Sequence, residues 1–306
     1  MRSAFRDTLM EAKASSNNLH LIVGDIGFGV FEEYIEKYPN DYLNIGICEA
    51  NMIGMAAGMS RNDFTPIVYT IVPFLVMRPF EQIRIDLALQ NSKVVLVGVG
   101  GGFSYGTLGP THHSFEDIAL MSLLPNFHVF APSQPSESSI ALSLALKHDG
   151  PSYIRLGKNG EPDLEEFLID KQNDYKVYIN DWQTSDATIL TYGPITLEAI
   201  KAAKDLAVSG LKISVISFWQ IKPLPESIID ICSNINKLFI LEEHTSYNSP
   251  GTHIISILAI MQKIKNVWLI GVEDRFTDEV GSRDFVLAAN NLDFSSVATF
   301  VRKKLS

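Results

Sequence analysis

The stretch Ile45-Gly-Ile-Cys-Glu-Ala-Asn-Met-Ile-Gly-Met-Ala-Ala-Gly-Met59 joins a short apolar run to a segment rich in Gly, Ala and Met. This pattern predicts a strand that ends near Ile47 and a helix that begins at Glu49. Because the residues around Glu49 are mostly apolar, we expect its carboxyl group to be buried. A buried, unpaired carboxylate is costly to ionise, so the group either stays protonated or meets a partner that takes its proton.

Two explanations of Glu49 are open at this point. A carboxylate at the start of a helix is stabilised by the helix dipole, and this arrangement is common. Alternatively, the carboxyl group serves a cofactor. Thiamine diphosphate becomes reactive when a Glu donates a hydrogen bond to N1′ of its aminopyrimidine, which favours the 4′-imino tautomer that removes the C2 proton and generates the ylid. Glu49 and its neighbours alone do not distinguish the helix-dipole explanation from the cofactor explanation.

Apolar runs of strand length alternate with helix-period segments along the sequence, which predicts two consecutive α/β domains with mostly parallel sheets. The expected strands are 19–24, 43–47, 66–69, 94–99, 127–131, 152–156, 188–192, 212–217, 238–241 and 267–270. A charged stretch with Gly and Pro, typical of a linker, interrupts the alternation. We therefore predict a first domain over 1–160, a linker over 161–183 and a second domain over 184–306.

Composition narrows the class of protein. The 306 residues carry a net charge of -10 and no block of Lys or Arg, which argues against nucleic acid or an anionic membrane as the main partner. Cys48 and Cys232 are too few and too far apart for a disulfide framework or a zinc site. No run reaches the ~18 apolar residues of a membrane span, and the N-terminus lacks the pattern of a signal peptide. We expect a cytoplasmic protein whose main partners are small molecules or other proteins.

A glycine-rich loop follows a buried strand and reads Gly98-Val-Gly-Gly-Gly-Phe-Ser-Tyr-Gly-Thr-Leu-Gly-Pro-Thr-His-His-Ser114. Loops at the carboxyl ends of parallel strands are where ligands bind, and glycines let the backbone approach a ligand closely. His112 and His113 offer proton transfer near neutral pH. The spacing is neither GxGxxG nor a P-loop. The competing interpretation is a mobile loop whose histidines hydrogen-bond to backbone.

Residues that follow the ends of other predicted strands could also line a pocket. Phe74 lies on a turn before an amphipathic helix and either stacks on a flat heterocycle or belongs to the core. Asp25 lies in a Gly-rich turn, where capping of that turn is the ordinary explanation. The segment 242–251 ends a strand of the second half and could form an interface or the rim of a pocket, and its spacing indicates no metal.

With these segments in this order, the sequence resembles the carboxy-terminal half of a transketolase, that is, a pyrimidine-binding domain followed by the small C-terminal domain. The resemblance covers nearly all of the sequence. Gly-Ile-Cys-Glu-Ala-Asn-Met-Ile-Gly resembles the segment that holds the catalytic Glu, and Gly-Pro-Thr-His matches the active-site histidine loop. Glu273-Asp-Arg-Phe276 resembles a segment of the last domain.

The resemblance implies a role for several residues toward thiamine diphosphate. Glu49 would activate the cofactor, Phe74 would stack on its aminopyrimidine, and Asp25 would line the pocket. Ile71 and Met77 stand beside the pyrimidine, where they replace aromatic residues of the family.

The resemblance also assigns the substrate side. His112 would handle protons on the substrate, while Arg2 and Lys158 stand at places that match phosphate-binding arginines. Two positions depart from the family: Leu108 stands where an Asp precedes the loop histidine by four residues, and Gly100 where a histidine precedes it by twelve. Loss of a hydroxyl-reading Asp removes a buried hydrogen bond, so the donor need not be an ordinary ketose phosphate.

The sequence lacks the Gly-Asp-Gly…Asn motif with which transketolases hold the diphosphate through a divalent metal. It therefore resembles one part of a split transketolase, in which a separate N-terminal subunit supplies Mg²⁺ or Ca²⁺ and the diphosphate site. The resemblance implies a dimer of heterodimers in carbohydrate metabolism that transfers a two-carbon ketol or acyl unit from a sugar or 2-oxo acid to an aldehyde.

Two alternatives stay open. The first is the β subunit of a 2-oxo acid dehydrogenase, which shares the architecture and for which Leu108 leaves an acyl donor possible. The second is a non-catalytic scaffolding subunit that has kept the fold, because a fold alone does not imply activity.

Overall fold

Two β-sheets, each covered by helices, form the protein in the computed structural model, which describes residues 1–306. The strands of the first half are β1 (Leu19–Val23), β2 (Tyr42–Asn44), β3 (Thr65–Ile71), β4 (Val95–Val99), β5 (His128–Phe130) and β6 (Ser152–Leu156). Those of the second half are β7 (Leu168–Lys171), β8 (Tyr175–Tyr178), β9 (Ala187–Thr191), β10 (Ile213–Phe218), β11 (Gln220–Lys222), β12 (Lys237–Thr245) and β13 (Asn266–Val272).

Both sheets are mostly parallel, as the alternating pattern predicts. The first sheet has the order β11-β5-β6-β4-β3-β1-β2, and the second has the order β13-β12-β9-β10-β8-β7. Only the pairings of β11 with β5, β10 with β8 and β7 with β8 are antiparallel. The predicted fold class is confirmed.

Helices connect the parallel strands. In the first half they are α1 (Arg2–Ala14), α2 (Glu32–Lys37), α3 (Glu49–Ser60), α4 (Val72–Met77), α5 (Phe80–Gln82), which continues as a π-helix over Ile83–Leu89, α6 (Asp117–Leu123) and α7 (Pro135–Lys147). In the second half they are α8 (Thr196–Val208), α9 (Glu226–Asn234), α10 (Pro250–Ile260), α11 (Arg283–Ala289) and α12 (Phe294–Leu305). None of these helices has the length and apolar character that crossing a membrane requires.

Alternate residues of the central strands enter two different cores. On β3, Val68 packs with the helices on one face of the first sheet, whereas Ile67 and Tyr69 pack against the other face. A strand that is apolar on both sides reads as a continuous apolar run, which is why the sequence predicts these strands well.

The two halves share core residues and are packed together. The core that contains Val68 also contains Leu190 and Ile240 of the second sheet. In addition, β11 leaves the second half and pairs with β5, at the edge of the first sheet. The face on which α3 and α4 lie is therefore supported by both halves.

The segment predicted as a linker, 161–183, is not a simple connection. It contains a complete hairpin in which β7 pairs with β8, and β8 in turn pairs with β10 of the second sheet. The pattern is hard to recognise because β7 is an edge strand with largely exposed residues, Leu-Ile-Asp-Lys. The domain limits at 160 and 184 stay predictions.

His244 joins the two halves through its ring. It lies on β12, is fully buried, has its Nδ1 2.7 Å from the Thr245 carbonyl oxygen, and accepts a hydrogen bond at Nε2 from the Ala119 amide of α6. Burial lowers the pKa of His244 to about 4. The ring is therefore neutral in the folded protein at neutral pH.

This burial predicts a loss of stability in acid. Above the ordinary histidine pKa of about 6.5 the ring is neutral in both states, and below it only the unfolded chain takes up the proton. We expect His244 to cost about 3 kcal/mol of unfolding free energy between about pH 7 and about pH 4. The measurement is urea unfolding across this range for the wild type and His244→Gln. The pH dependence should be weaker in the variant, and parallel curves would contradict the assignment.

Candidate active site

Glu49 is the first residue of α3, which begins at the carboxyl ends of the parallel strands of the first sheet. Its side chain is 2% exposed, as the apolar surroundings predict. The carboxylate has a charged partner, because Glu49 Oε2 accepts a hydrogen bond of 2.8 Å from Arg78 Nη1. The partner lies 29 residues away along the sequence. A contact over that separation is not visible in any local pattern.

Arg78 also covers the aromatic ring of Phe74. The guanidinium carbon lies 4.1 Å from the centroid of the Phe74 ring, within the range of a cation–π contact. The Arg78 side chain is 47% exposed, so it can leave both contacts without opening the core. The flat guanidinium of Arg78 thus contacts both the Glu49 carboxylate and the Phe74 ring. These are the two groups that we expect to bind a flat heterocycle.

The other residues predicted to lie beside the pyrimidine are on the same face of α4. Ile71, Phe74 and Met77 are partly or largely exposed, whereas the residues between them are buried. The spacing of three residues places them on one side of the helix. Phe74 is therefore not an ordinary core residue.

Asp25 ties two loops of this edge together. It has φ of 53°, and its amide and carboxylate each make a hydrogen bond to the side-chain amide of Asn44, at 3.1 and 3.2 Å. The Asn44 oxygen also accepts a bond from Gly46 N, two residues before the N-cap of α3. Asp25 is exposed beside the start of that helix and keeps the turn role that its sequence context suggests.

The glycine-rich loop brings His112 to Phe74. Gly102 and Ser114 exchange backbone hydrogen bonds, which closes the loop at its base. The half-buried His112 ring lies 5.1 Å from the Phe74 ring, edge to face, and its Nδ1 is 2.9 Å from Thr111 Oγ1. The structure therefore brings Glu49, Phe74 and His112 into one cluster.

His113 belongs to the packing of the loop. It is 3% exposed and lies between Phe103 and Phe115, with ring centroids 5.2 and 5.8 Å away. Of the two adjacent histidines, only His112 faces the cluster.

Tyr105 is a residue of this site that the sequence did not indicate. Gly100 has φ of 84°, and a Cβ placed there would lie 2.0 Å from Cε2 of Tyr105. The phenol ring thus fills the space beside Gly100. It lies 6.1 Å from the His112 ring, and the exposed Lys158 places its Nζ 4.8 Å from the centroid of Tyr105. The one sequence signal for Tyr105 is Gly100 itself, because the family carries a histidine at that position.

The other predicted substrate residues border this tyrosine. Arg2 begins α1, and its positive charge acts on Tyr105, whose pKa is raised by burial and lowered in part by that charge. Leu108 ends a short turn of the loop and is 50% exposed. No group of three or more His, Cys, Asp or Glu side chains suitable for a metal ion is present.

Comparisons with known proteins agree on one family. Residues 1–161 match the model for the transketolase pyrimidine binding domain, and residues 176–278 match the model for the transketolase C-terminal domain. One of the subunits of the apulose-4-phosphate transketolase of Phocaeicola vulgatus is 27% identical over 89% of this chain and 87% of its own length. A putative transketolase C-terminal section of Methanocaldococcus jannaschii is 26% identical over 100% of this chain and 96% of its own length.

Solved structures give the same result. A split gene transketolase described as an inactive beta4 tetramer superposes with a TM-score of 0.86 at 26% identity, and the match covers 99% of this chain and 97% of that one. A transketolase from Pichia stipitis superposes with a TM-score of 0.80 at 18% identity over 99% of this chain and 45% of that one, which shows the shared fold.

The charge of Arg78 predicts how His112 titrates. Burial lowers the pKa of His112, and the nearby Arg78 lowers it further. We expect Arg78→Gln to raise the pKa of His112 toward the ordinary value near 6.5. The measurement is an NMR titration of the histidine ring signals. Arg84→Gln, which changes an exposed arginine further along the same segment, should leave the His112 titration unchanged. An unchanged pKa in Arg78→Gln would contradict the geometry.

Proposed function

The chain belongs to the transketolase family, and from that premise we propose that it is the C-terminal subunit of a split transketolase. With a separate partner subunit it transfers a two-carbon ketol or acyl unit to an aldehyde acceptor. The observation that carries the proposal is the cluster of a buried carboxylate, an aromatic ring and a half-buried histidine at one sheet edge.

The residues of the cluster fit the pyrimidine of thiamine diphosphate. The planar Arg78 guanidinium lies between the Glu49 carboxylate and the Phe74 ring, at 2.8 Å from an oxygen of the first and 4.1 Å from the centroid of the second. A flat aminopyrimidine offers the same combination of a hydrogen-bonding edge and a stacking face. When bound, the cofactor would supply a thiazolium that accepts the electron pair released when the carbon–carbon bond next to the donor carbonyl breaks.

In this proposal the side chains divide the work. Once Arg78 has moved away, Glu49 would hold a proton at the pyrimidine nitrogen N1′. Phe74, with Ile71 and Met77 on the same face, positions the ring. His112 is poised to move protons on the substrate as a neutral imidazole.

At the substrate end, positively charged side chains lie near the Tyr105 ring. Arg2 and Lys158 border Tyr105, and both would attract an anionic group of the donor or acceptor. Tyr105 fills the space beside Gly100. The group next to His112 is therefore a phenol, where the family would have the imidazole of a second histidine. The departures at Gly100 and Leu108 support a donor other than an ordinary ketose phosphate.

The proposal requires a partner chain. The sequence lacks the diphosphate-binding motif, so the partner would hold the diphosphate and most ligands of Mg²⁺ or Ca²⁺. The relatives described as one of the subunits of an apulose-4-phosphate transketolase support a separate partner, and the split gene transketolase described as a tetramer supports self-association. We propose a dimer of heterodimers that works in cytoplasmic carbohydrate metabolism.

The role of Glu49 is tested by Glu49→Gln in the complex with the partner subunit. A glutamine keeps the shape of the side chain but cannot transfer the proton, so exchange of the thiamine C2 proton for deuterium should slow by about 10²- to 10⁴-fold. NMR after acid quench measures this rate. The control is Glu81→Gln, which changes an exposed carboxylate near the same site. Equal exchange rates in wild type and Glu49→Gln would favour a scaffolding subunit.

A further inference from the structure

Glu243 reaches from the second half of the protein to the loop that carries His112. It lies on β12, and its side chain is 3% exposed. Oε1 accepts a hydrogen bond of 2.7 Å from the backbone amide of Phe103, and Oε2 accepts one of 2.6 Å from Nη2 of Arg283 on α11. The carboxylate therefore joins the second sheet, α11 and the histidine loop.

The loop is shaped to admit this carboxylate. Gly102 has φ of 62°, and a Cβ at that position would lie 2.4 Å from the carboxyl carbon of Glu243 and 2.6 Å from its Oε1. A side chain would thus be strained by its backbone and would also push the carboxylate away. Gly102 is the same residue whose backbone pairs with Ser114 to close the loop.

Further contacts from the second half surround this bond. The amide of Thr245 donates to the carbonyl of Phe115, and the amide of Gly281 donates to the carbonyl of Gly106. Phe103 and Phe115 belong to the core of the second half, together with Val286 of α11. The base of the loop is therefore held by packing, and Glu243 is the one charged side chain that bonds to its backbone from the second half.

Arg155 links the same two elements. It is 3% exposed, and its Nη2 donates to the carbonyl of Ser114 at 2.9 Å and to that of Glu243 at 3.0 Å. The end of the loop and the strand segment at Glu243 thus share one guanidinium. A shift of either element would leave a buried donor unpaired, which is costly.

We propose that Glu243 is a positioning residue for His112: it holds the glycine-rich loop so that the His112 ring stays against Phe74. This rests on the proposed function, since His112 acts on the substrate there. Glu243 itself contacts neither Glu49 nor Phe74, so it acts through the loop. The C-terminal domain thereby contributes to the geometry of an active site that lies on the first domain.

The neighbouring Glu242 provides a matched control. It is also fully buried on β12, but it accepts hydrogen bonds from Tyr192, Ser249 and Gly251, all in the second half. Glu242→Gln disturbs the same strand without touching the loop. An effect that arises only from weakening the second domain would appear in both variants.

The experiment uses this chain in complex with its partner subunit and thiamine diphosphate. Glu243→Ala should lower kcat/KM by about 10²-fold, because a displacement of about 1 Å in a catalytic group costs that much, while the affinity for thiamine diphosphate stays unchanged. The double variant Glu243→Ala/His112→Gln should be no less active than His112→Gln alone. Further loss in the double variant would overturn the proposal, as would an equal loss in Glu242→Gln.

A second readout does not depend on turnover. Hydrogen exchange of the amides between Phe103 and Ser114 should be at least about tenfold faster in Glu243→Ala than in wild type, and unchanged in Glu242→Gln. Gly102→Ala should give the same acceleration and the same loss of kcat/KM, even if Glu243→Ala does not fold. Unchanged exchange in Gly102→Ala overturns the proposal. An inactive wild-type complex with faster exchange in the variants would instead reject the proposed function and retain the role of Glu243 in holding the loop.

Discussion

A carboxylate that is almost fully buried needs a hydrogen-bond donor or a cation, and the arrangement of this site follows from how that need is met for Glu49. The residue begins α3 at the edge where the strands of a parallel sheet end, so the helix dipole favours its charge. Arg78 supplies the direct contact at 2.8 Å and lies on the Phe74 ring at the same time. Both functional groups are thereby held by one side chain that is free to move into solvent.

The sequence predicts the central strands and the start of α3 because each depends on local chemistry. Strands buried on both faces are continuous apolar runs, and a Gly- and Ala-rich segment indicates where the helix begins. The burial of Glu49 could be predicted on the same grounds. The strand predicted to end near Ile47 ends at Asn44 instead, because it is a short, largely exposed strand at the edge of the sheet. The proximity of Glu49, Phe74 and His112 was implied by the family resemblance and by the rule that loops at the carboxyl ends of parallel strands meet.

Other features could not be predicted because they arise from contacts between distant residues. Arg78 meets Glu49 only when α4 folds beside α3, and Tyr105 enters the space beside Gly100 only when the loop closes. The hairpin of β7 and β8 was missed because an exposed edge strand has no distinctive pattern of apolar residues. The sequence places Glu243 only in a segment that could form an interface or the rim of a pocket, because its partner Phe103 is 140 residues away.

The two halves of the chain have different tasks in this account. The first half carries the carboxylate, the aromatic face and the histidine, whereas the second half packs against the loop and fixes its position. Neither half carries the diphosphate-binding motif of whole transketolases. By comparison with its split relatives, we propose that this polypeptide forms one part of a thiamine diphosphate site that a second polypeptide completes.

The most direct measurement is a calorimetric titration of thiamine diphosphate with Mg²⁺ into this chain, into the partner subunit, and into their mixture. The account predicts tight binding in the mixture and none to this chain by itself. Equally tight binding to this chain alone, or no binding in a mixture shown to form a complex, would contradict it.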